Sequence, residues 1–442
     1  LTERKTRPAS RGLIPVKGVS APRRDKAPMH VYLPDLAHRP VPRYTSYPTA
    51  DRFQDGISPS DQRAALEAIK AGERVSLYVH IPYCREICWY CGCNTQALGR
   101  ADRLIRYVDG LATEIAAVAQ RMRGRVHSIH FGGGSPNALP PATFEDLLGR
   151  LRTSFAVVDH PEIAVELDPR LIEPAFVAVL ARTGTTRVSL GVQTFARHVQ
   201  RAIGRIQPLA LVQDGFAMLR EAGIDAINVD LLYGLPGQHV SDVAETIDAV
   251  VALRPNRIAL FGYAHVPHMM PRQRAIDAAM LPSAEARFLQ AAHGHDGLVA
   301  AGYRAIGFDH FALPDDPLAV AAAKGTLRRN FQGFTADPIR TVVGLGASAI
   351  SQFDGLLAQN EKDVGRYLAT VRESGLAARR GIVRTAEDRL RAALIERLLC
   401  DGALDIGAVE RQHRALLAGR DRVEARLSVF EDRGLIRRDR GV

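Results

Sequence analysis

No run of about 18 consecutive apolar residues occurs anywhere in the 442-residue chain, which excludes a membrane-spanning helix of ordinary length. Cysteine is scarce: there are five, an odd number, and four of them crowd between Cys84 and Cys93. That distribution excludes a disulfide framework and points to a reducing, cytoplasmic setting. The pair Arg23-Arg24 has no apolar stretch behind it, so a secretory leader is not expected. Internal repeats and long low-complexity tracts are missing too. What remains is a chain that is 46% hydrophobic, enough to bury a large core in about two domains.

The formal charge of +10 invites a nucleic-acid reading. Residues 1–28, however, hold eight Lys/Arg against Glu3 and Asp25, and subtracting that +6 leaves only +4 for the rest. The stretch has no apolar periodicity and reads as a disordered basic tail. A basic arm for RNA is the sharper alternative, and deleting 1–28 tests it; no nucleic-acid partner is expected. Met29 stands just before the first ordered-looking segment and is the expected natural start.

The densest chemical signal is His80-Ile81-Pro82-Tyr83-Cys84-Arg85-Glu86-Ile87-Cys88-Trp89-Tyr90-Cys91-Gly92-Cys93. Its first three cysteines are spaced Cys-x3-Cys-x2-Cys. A 4Fe–4S cluster ordinarily takes four thiolates, so a three-thiolate loop leaves one iron open to bind and reduce a ligand. Cys93 follows Cys91 too closely to reach the same cluster without a sharp fold-back. Structural zinc reads less well, since four-cysteine zinc sites usually pair two separated hairpins; reactive free thiols are the remaining alternative. The spacing resembles the radical S-adenosylmethionine (SAM) superfamily. That resemblance implies chelation of the open iron by SAM and its reductive cleavage to a 5′-deoxyadenosyl radical.

From Val75 onward β-branched runs alternate with amphipathic stretches. The expected strands are 75–81, 126–131, 163–167, 187–191, 227–231 and 257–261. Leu104, Val108, Leu111, Ile115, Val118 and Met122 recur on one helical face, and 143–151, 171–180, 209–222, 240–253 and 284–301 fill later gaps. The predicted fold is α/β, a partial (β/α)6 barrel, with an N-terminal extension and a mostly helical, winged-helix-like C-terminal domain. The expected divisions are a basic tail (1–28), an N-terminal substrate-side segment (29–72), the barrel (73–310) and a C-terminal domain (311–442).

Chemistry in parallel βα barrels sits at the C-terminal strand ends. Those ends carry Tyr78 and His80, the turn Gly132-Gly133-Gly134-Ser135-Pro136, then Glu166, Gln193, Asp230 and Tyr263. Glycines after a strand let backbone approach a ligand closely, although βα turns carry glycine commonly. Glu166 admits two readings, an ion pair with Arg187 or Arg205, or an acceptor orienting SAM; Asp230 likewise. His80 reads as a core or supporting group. Trp89 and Tyr90 either shield the cluster, stack on adenine or simply pack.

Segments outside the cysteine loop narrow the resemblance. Pro42-Arg43-Tyr44-Thr45-Ser46-Tyr47-Pro48-Thr49-Ala50, Cys91-Gly92-Cys93-Asn94, Gly191-Val192-Gln193, Asp230-Leu231-Leu232-Tyr233-Gly234-Leu235-Pro236 and Tyr263-Ala264-His265 resemble the oxygen-independent coproporphyrinogen III oxidase family. So do Asp309-His310-Phe311, Arg329-Asn330-Phe331-Gln332-Gly333 and Gly344-Leu345-Gly346-Ala347-Ser348-Ala349-Ile350. The resemblance runs from about residue 40 to near the end of the chain. It implies oxidative decarboxylation of two propionates of coproporphyrinogen III to vinyls in haem biosynthesis. A deoxyadenosyl radical would take a propionate β-hydrogen, CO2 would leave, and the remaining electron would pass to an unidentified acceptor; a cellular reductant would feed the cluster.

Residue by residue, the resemblance implies Cys84, Cys88 and Cys91 as cluster ligands and Cys93 as a non-ligand. It implies Tyr78, Tyr90, Gly133, Gly134, Ser135, Glu166, Gln193, Arg205 and Asp230 at a first SAM, with Glu166, Asp230 and Tyr78 nearest the chemistry. Ala264 and Ile350 would lie around a second SAM, with Phe331 and Gln332 in the same region. Arg43, Arg328 and Arg329 are candidate clamps for substrate carboxylates by fork geometry. A monomer is the family expectation. Departures are Ser135 where Thr is usual, Asn137 where Thr is typical, Ile206 where an acidic residue often follows the arginine, and an end at Val442 short of the usual C-terminal β wing. The rival within the family is a haem chaperone, which usually lacks both Cys93 and the Arg43–Thr49 segment.

Overall fold

A computed structural model describes residues 30–39, 46–99 and 101–438; the basic tail 1–28 and Arg43 lie outside the described residues. Thirteen strands form one sheet. In chain order they are β1 (Gln54–Asp55), β2 (Arg74–Ile81), β3 (Arg125–Gly133), β4 (Val157–Leu167), β5 (Arg187–Gln193), β6 (Ile227–Tyr233), β7 (Arg257–Gly262), β8 (Arg304–Ile306), β9 (His310–Ala312), β10 (Thr341–Leu345), β11 (Ile350–Gln352), β12 (Leu356–Asn360) and β13 (Ala378–Val383). Their order across the sheet is β1-β13-β12-β11-β10-β2-β3-β4-β5-β6-β7-β9-β8. Strands β2 to β7 pair in parallel, the six-strand run expected from periodicity.

A seventh parallel strand joins the six that the periodicity predicts. Strand β10 pairs with β2, setting Val343 beside Leu77 and Gly344 beside Tyr78. The chain therefore does not leave the sheet at residue 310. It returns through β9, β10 and three antiparallel strands, and a helical region begins only at Ala386. All five residues of β10 are buried, so no polar alternation marks it in the sequence.

Strand alternation divides the barrel wall into two chemistries. Val75, Leu77, Val79 and Ile81 of β2, with Ile163 and Val165 of β4 and Val188 and Leu190 of β5, join the core beneath the helices. The helix Ala101–Ala119 lays Leu104, Leu111, Ile115 and Val118 into that core, as its stripe predicts. Phe131, Phe144 and Phe176 stack there with centroids 4.9 and 5.2 Å apart, each pair adding about 0.5–1.5 kcal/mol beyond area burial. The intervening residues face the lumen, where Ser128 Oγ donates to Asp337 Oδ2 (3.2 Å) and can accept from Ser76 Oγ (2.8 Å).

Helices Ala386–Asp401, Ile406–His413 and Arg420–Asp432 follow the sheet. The first opens on a capping box, with Asp388 N–H donating to Thr385 Oγ1 (3.0 Å) and Thr385 N–H to Asp388 Oδ2 (2.9 Å), and ends at left-handed Gly402. Leu390 and Leu394 on this helix are buried, whereas Leu398 is half exposed. Among the described residues no helix is long and apolar enough to cross a membrane.

Candidate functional site

The loop after β2 carries the four clustered cysteines over the C-terminal ends of β3 to β6. Their thiols border a cavity of about 160 Å³. Its wall includes Cys84, Cys88, Cys91, Cys93, Tyr90, Gly133, Gly134, Ser135, Glu166, Gln193, Arg205 and Asp230. Residues separated by more than a hundred positions thus meet because parallel strands align their ends.

Several contacts hold the loop in place. His80 Nε2 pairs with Asn94 O (3.0 Å), its Nδ1 with Tyr78 OH (3.2 Å), and its carbonyl accepts from Tyr107 OH (2.7 Å). His80 is therefore the supporting group expected. From the segment after β7, Gln273 Nε2 donates to Tyr90 O (2.9 Å) and Arg272 Nη2 to Thr95 O (2.7 Å). Trp89 packs on Gly204, where a Cβ would meet its ring at 2.9 Å, and is absent from the cavity wall; packing explains it.

Donors surround the sulfurs. Thr95 Oγ1 lies 3.2 Å and Ser135 Oγ 3.5 Å from Cys84 Sγ. Arg205 Nη1 donates to Cys88 Sγ (3.3 Å), and Arg170 Nη2 stands 3.7 Å from the same atom. Cys93 N–H donates to Cys91 Sγ (3.4 Å), and a hydrogen bond from the Cys93 thiol to the same sulfur brings the Cys91 thiol down to about 6 while raising its own. Hydrogen bonds and guanidinium charges aimed at sulfur favour thiolates, the form that ligates iron. The donor set thus fits an iron–sulfur cluster.

Asp168 links the two arginines. It accepts from Arg205 Nη2 (3.1 Å) and Arg170 Nη2 (2.7 Å), and its side chain is 5% exposed. Burial raises its carboxyl, but the two guanidiniums more than offset this and hold it below the usual range. Neither arginine reaches Glu166. Arg205 also donates to Gly191 O (2.7 Å), and Arg187 sits lower in the barrel, on Asn228 Oδ1 (3.0 Å).

Glu166 pairs instead with His130 Nε2 (3.0 Å) and accepts from Gly133 N–H (3.2 Å). Desolvation pushes its carboxyl up, yet the His130 contact and the Gly133 amide prevail and keep it ionised below its ordinary value. Asp230, given a hydrogen bond by Ser189 Oγ (3.2 Å), is raised to about 6 by burial and by the negative charge of Glu166. Two carboxylates thus border one cavity and repel each other, a repulsion that a cationic ligand between them would relieve. The glycine turn is needed for this approach: a Cβ at Gly132 would lie 2.6 Å from Glu166 Oε1, and one at Gly133 2.5 Å from the His80 ring. Gln193 adopts φ 67, the left-handed region, at the lip of β5. A compact ligand with both ammonium and carboxylate groups, as SAM has, fits these donors and acceptors.

Other expected positions lie elsewhere. Tyr78 is outside the cavity wall, stacked on His130 at 5.8 Å. Ala264, exposed beyond β7, and Ile350, opening β11, are also outside it. Arg328 is engaged by Glu396 Oε1 (2.7 Å), and Arg329 lies over the rings of Phe334 (4.5 Å) and Phe308 (4.9 Å). Gln332 borders a small cleft lower in the lumen with Ser76, His130 and Asp337, and Phe331 precedes it in the hairpin turn. Unanticipated contributors are His130, Asp168, Arg170 and Ser189. Strand parity could have found His130 and Ser189, which share a face with Gly132 and Gly191.

Comparison with known proteins agrees with this geometry. The radical SAM superfamily model matches residues 78–250. The oxygen-independent coproporphyrinogen III oxidase of Bradyrhizobium diazoefficiens is 44% identical over 90% of this chain and 89% of its own length. That of Pseudomonas aeruginosa is 42% identical over 84% of this chain and 82% of its own. The solved coproporphyrinogen III oxidase of Escherichia coli, described as a radical SAM enzyme, superposes with a TM-score of 0.86 at 37% identity, covering 90% and 92% of the two chains. The chain belongs to the oxygen-independent coproporphyrinogen III oxidase family of the radical SAM superfamily.

Proposed function

We propose that the protein catalyses the SAM-dependent oxidative decarboxylation of coproporphyrinogen III, turning two propionates into vinyls to give protoporphyrinogen IX. The observation that carries this reading is 44% identity to a relative named for that oxidase over 90% of the chain. When bound, a 4Fe–4S cluster and SAM supply a 5′-deoxyadenosyl radical that removes a substrate hydrogen. Cys84, Cys88 and Cys91 hold the cluster, and Cys93 tunes Cys91 without ligating. Arg205 and Arg170 stabilise negative charge on Cys88, while Thr95 and Ser135 do so on Cys84.

Glu166, kept ionised by His130, accepts from the SAM ammonium, and Asp230 and Gln193 orient the remaining polar groups. Gly133, Gly134 and Ser135 give the ligand close backbone contact, and Tyr90 covers it. Tyr78 acts through His80 and His130. A second SAM near Ala264 and Ile350 belongs to the same proposal. So do substrate contacts from the N-terminal segment with Arg43 and from Arg329, Phe331 and Gln332; Arg328 serves there only if Glu396 releases it. The enzyme works as a cytoplasmic monomer; a cellular reductant would supply the electron that cleaves SAM, and a separate acceptor would take the electron left on the substrate when CO2 departs.

The test is anaerobic turnover of reconstituted protein with reductant, SAM, coproporphyrinogen III and an acceptor-containing extract. Protoporphyrin and 5′-deoxyadenosine should form together, and both should vanish in Cys84→Ala. Stoichiometric haem binding with neither product would sink the oxidase reading and favour a chaperone.

A further inference from the structure

We propose that His30, His295 and Asp296 form a binding site for a divalent transition ion of the zinc class, one that fastens the N-terminal segment to the outside of the barrel. His30 Nε2 lies 2.9 Å and His295 Nδ1 3.2 Å from the same atom, Asp296 Oδ1. All three ligand atoms fall within 4.8 Å of one another. Ligands of a tetrahedral zinc ion stand roughly 3.3 Å apart, given bonds of about 2.0–2.1 Å, so small side-chain movements would admit the ion. Two imidazoles with one carboxylate suit zinc, cobalt(II) or nickel(II) and disfavour calcium and magnesium, which prefer oxygen ligands. Water would complete the coordination.

The ligands are pre-arranged rather than merely near. The His30 and His295 rings meet edge to face, with centroids 5.0 Å apart at 77°. On its other side His295 packs against Phe311 at 5.6 Å. Phe311 is 4% exposed and belongs to the core under the helices. His295 therefore rests on a buried wall that limits its rotamers, lowering the entropy lost on binding. Asp296 follows it on the helix Ala284–Ala300, so two ligands come from one rigid element.

The third ligand makes the site consequential, because His30 precedes Asp296 by 266 residues. The segment also lies along this helix through Tyr32 on Phe288 (5.4 Å), and Asp35 pairs with Arg433 (2.7 Å). The ion pair is solvent-accessible, and such pairs hold a segment weakly. A metal joining His30 to His295 and Asp296 would be a far stronger fastening. The site is remote from the chemistry: Phe311 faces the helices, while its neighbour His310 lies against Phe261 and Phe334 on the other face of β9. Its role is therefore to hold the segment, not to react.

Cluster-loaded full-length protein is titrated anaerobically with zinc chloride by calorimetry, alongside His30→Ala, His295→Ala, Asp296→Asn and Cys93→Ala. Because Cys93 is a second zinc-binding group, its variant separates the two sources. One zinc equivalent should bind the wild type and Cys93→Ala, and should be lost in each of the other three. Cobalt(II) at the site should give ligand-field bands without sulfur-to-metal charge transfer, and zinc should slow hydrogen exchange in residues 30–39. Equal zinc uptake by wild type and His295→Ala, or loss of the equivalent only in Cys93→Ala, would overturn the site. Uptake that leaves exchange in 30–39 unchanged would overturn its fastening role. Cluster absorbance confirms that each variant is folded.

Discussion

The two ends of the same parallel strands make an instructive pair. At their N-terminal ends, one buried carboxylate gathers two guanidiniums. Arg257 Nε donates to Asp316 Oδ1 (2.8 Å), Arg187 Nη1 lies 3.7 Å from Asp316 Oδ2, and the Asp316 side chain is 2% exposed. The same carboxylate caps a helix through Leu318 N–H (2.7 Å). At the C-terminal ends, Glu166 has its side chain 41% exposed and, among the described residues, only a histidine and a backbone amide as hydrogen-bond partners. Charge that is closed off in pairs stabilises a fold, whereas charge left open toward a cavity can be used on a ligand.

Substitutions at either end should part stability from activity. The largest loss of stability is expected from Asp316→Ala, which strands two guanidiniums and a helix end. Chemical denaturation should report about 3–5 kcal/mol, with the cluster still loading at low temperature. An unchanged midpoint would erase the distinction between the two ends.

Glu114, fully buried behind the same sheet, comes next. It accepts from Gly346 N–H, Tyr367 OH and Asn360 Nδ2, each at 2.7 Å, and burial pushes its carboxyl up to about 7. The folded state therefore binds more protons than the unfolded state between the ordinary value of 4.5 and about 7. Stability should fall as pH rises through that window, by up to about 3 kcal/mol. Glu114→Gln has no such titration, so its denaturation midpoint should show a flatter pH profile there.

Glu166→Gln belongs to the open end. Its deoxyadenosine production should drop roughly 100-fold, about 2.7 kcal/mol of transition-state stabilisation, with the melting temperature nearly kept. A variant that melts early but turns over normally would place Glu166 with the structural pairs. The smallest effect is expected from Arg182→Ala, which removes an exposed pair with Glu145 at 2.6 Å. A thermal scan should move by no more than about 1 °C.

Much of this was legible because it is local. Three cysteines within eight residues point to cluster chemistry without a fold, and β-branched runs broken by helical stripes mark six strands. The turn glycines and the carboxylates ending β4 and β6 followed from the rule that barrel sites sit at strand ends. Partners were not legible. Where the ion-pair reading of Glu166 offers Arg187 or Arg205, His130, 36 residues earlier, is the group that meets it. Strand parity places a side chain on a face, but register decides which neighbour it meets, and register is a property of the assembled sheet.

The sequence by itself determined the cysteine spacing and the strand–helix rhythm of the six central strands, because these depend on backbone periods of a few residues. Only the tertiary structure decided that Thr341–Leu345 closes against β2 as a seventh parallel strand, that Arg328 is taken up by Glu396, and that His30 meets a helix 266 residues away. Such pairings join distant parts of the chain through burial and hydrogen bonds, and no local pattern records which partner the folded core will bring near.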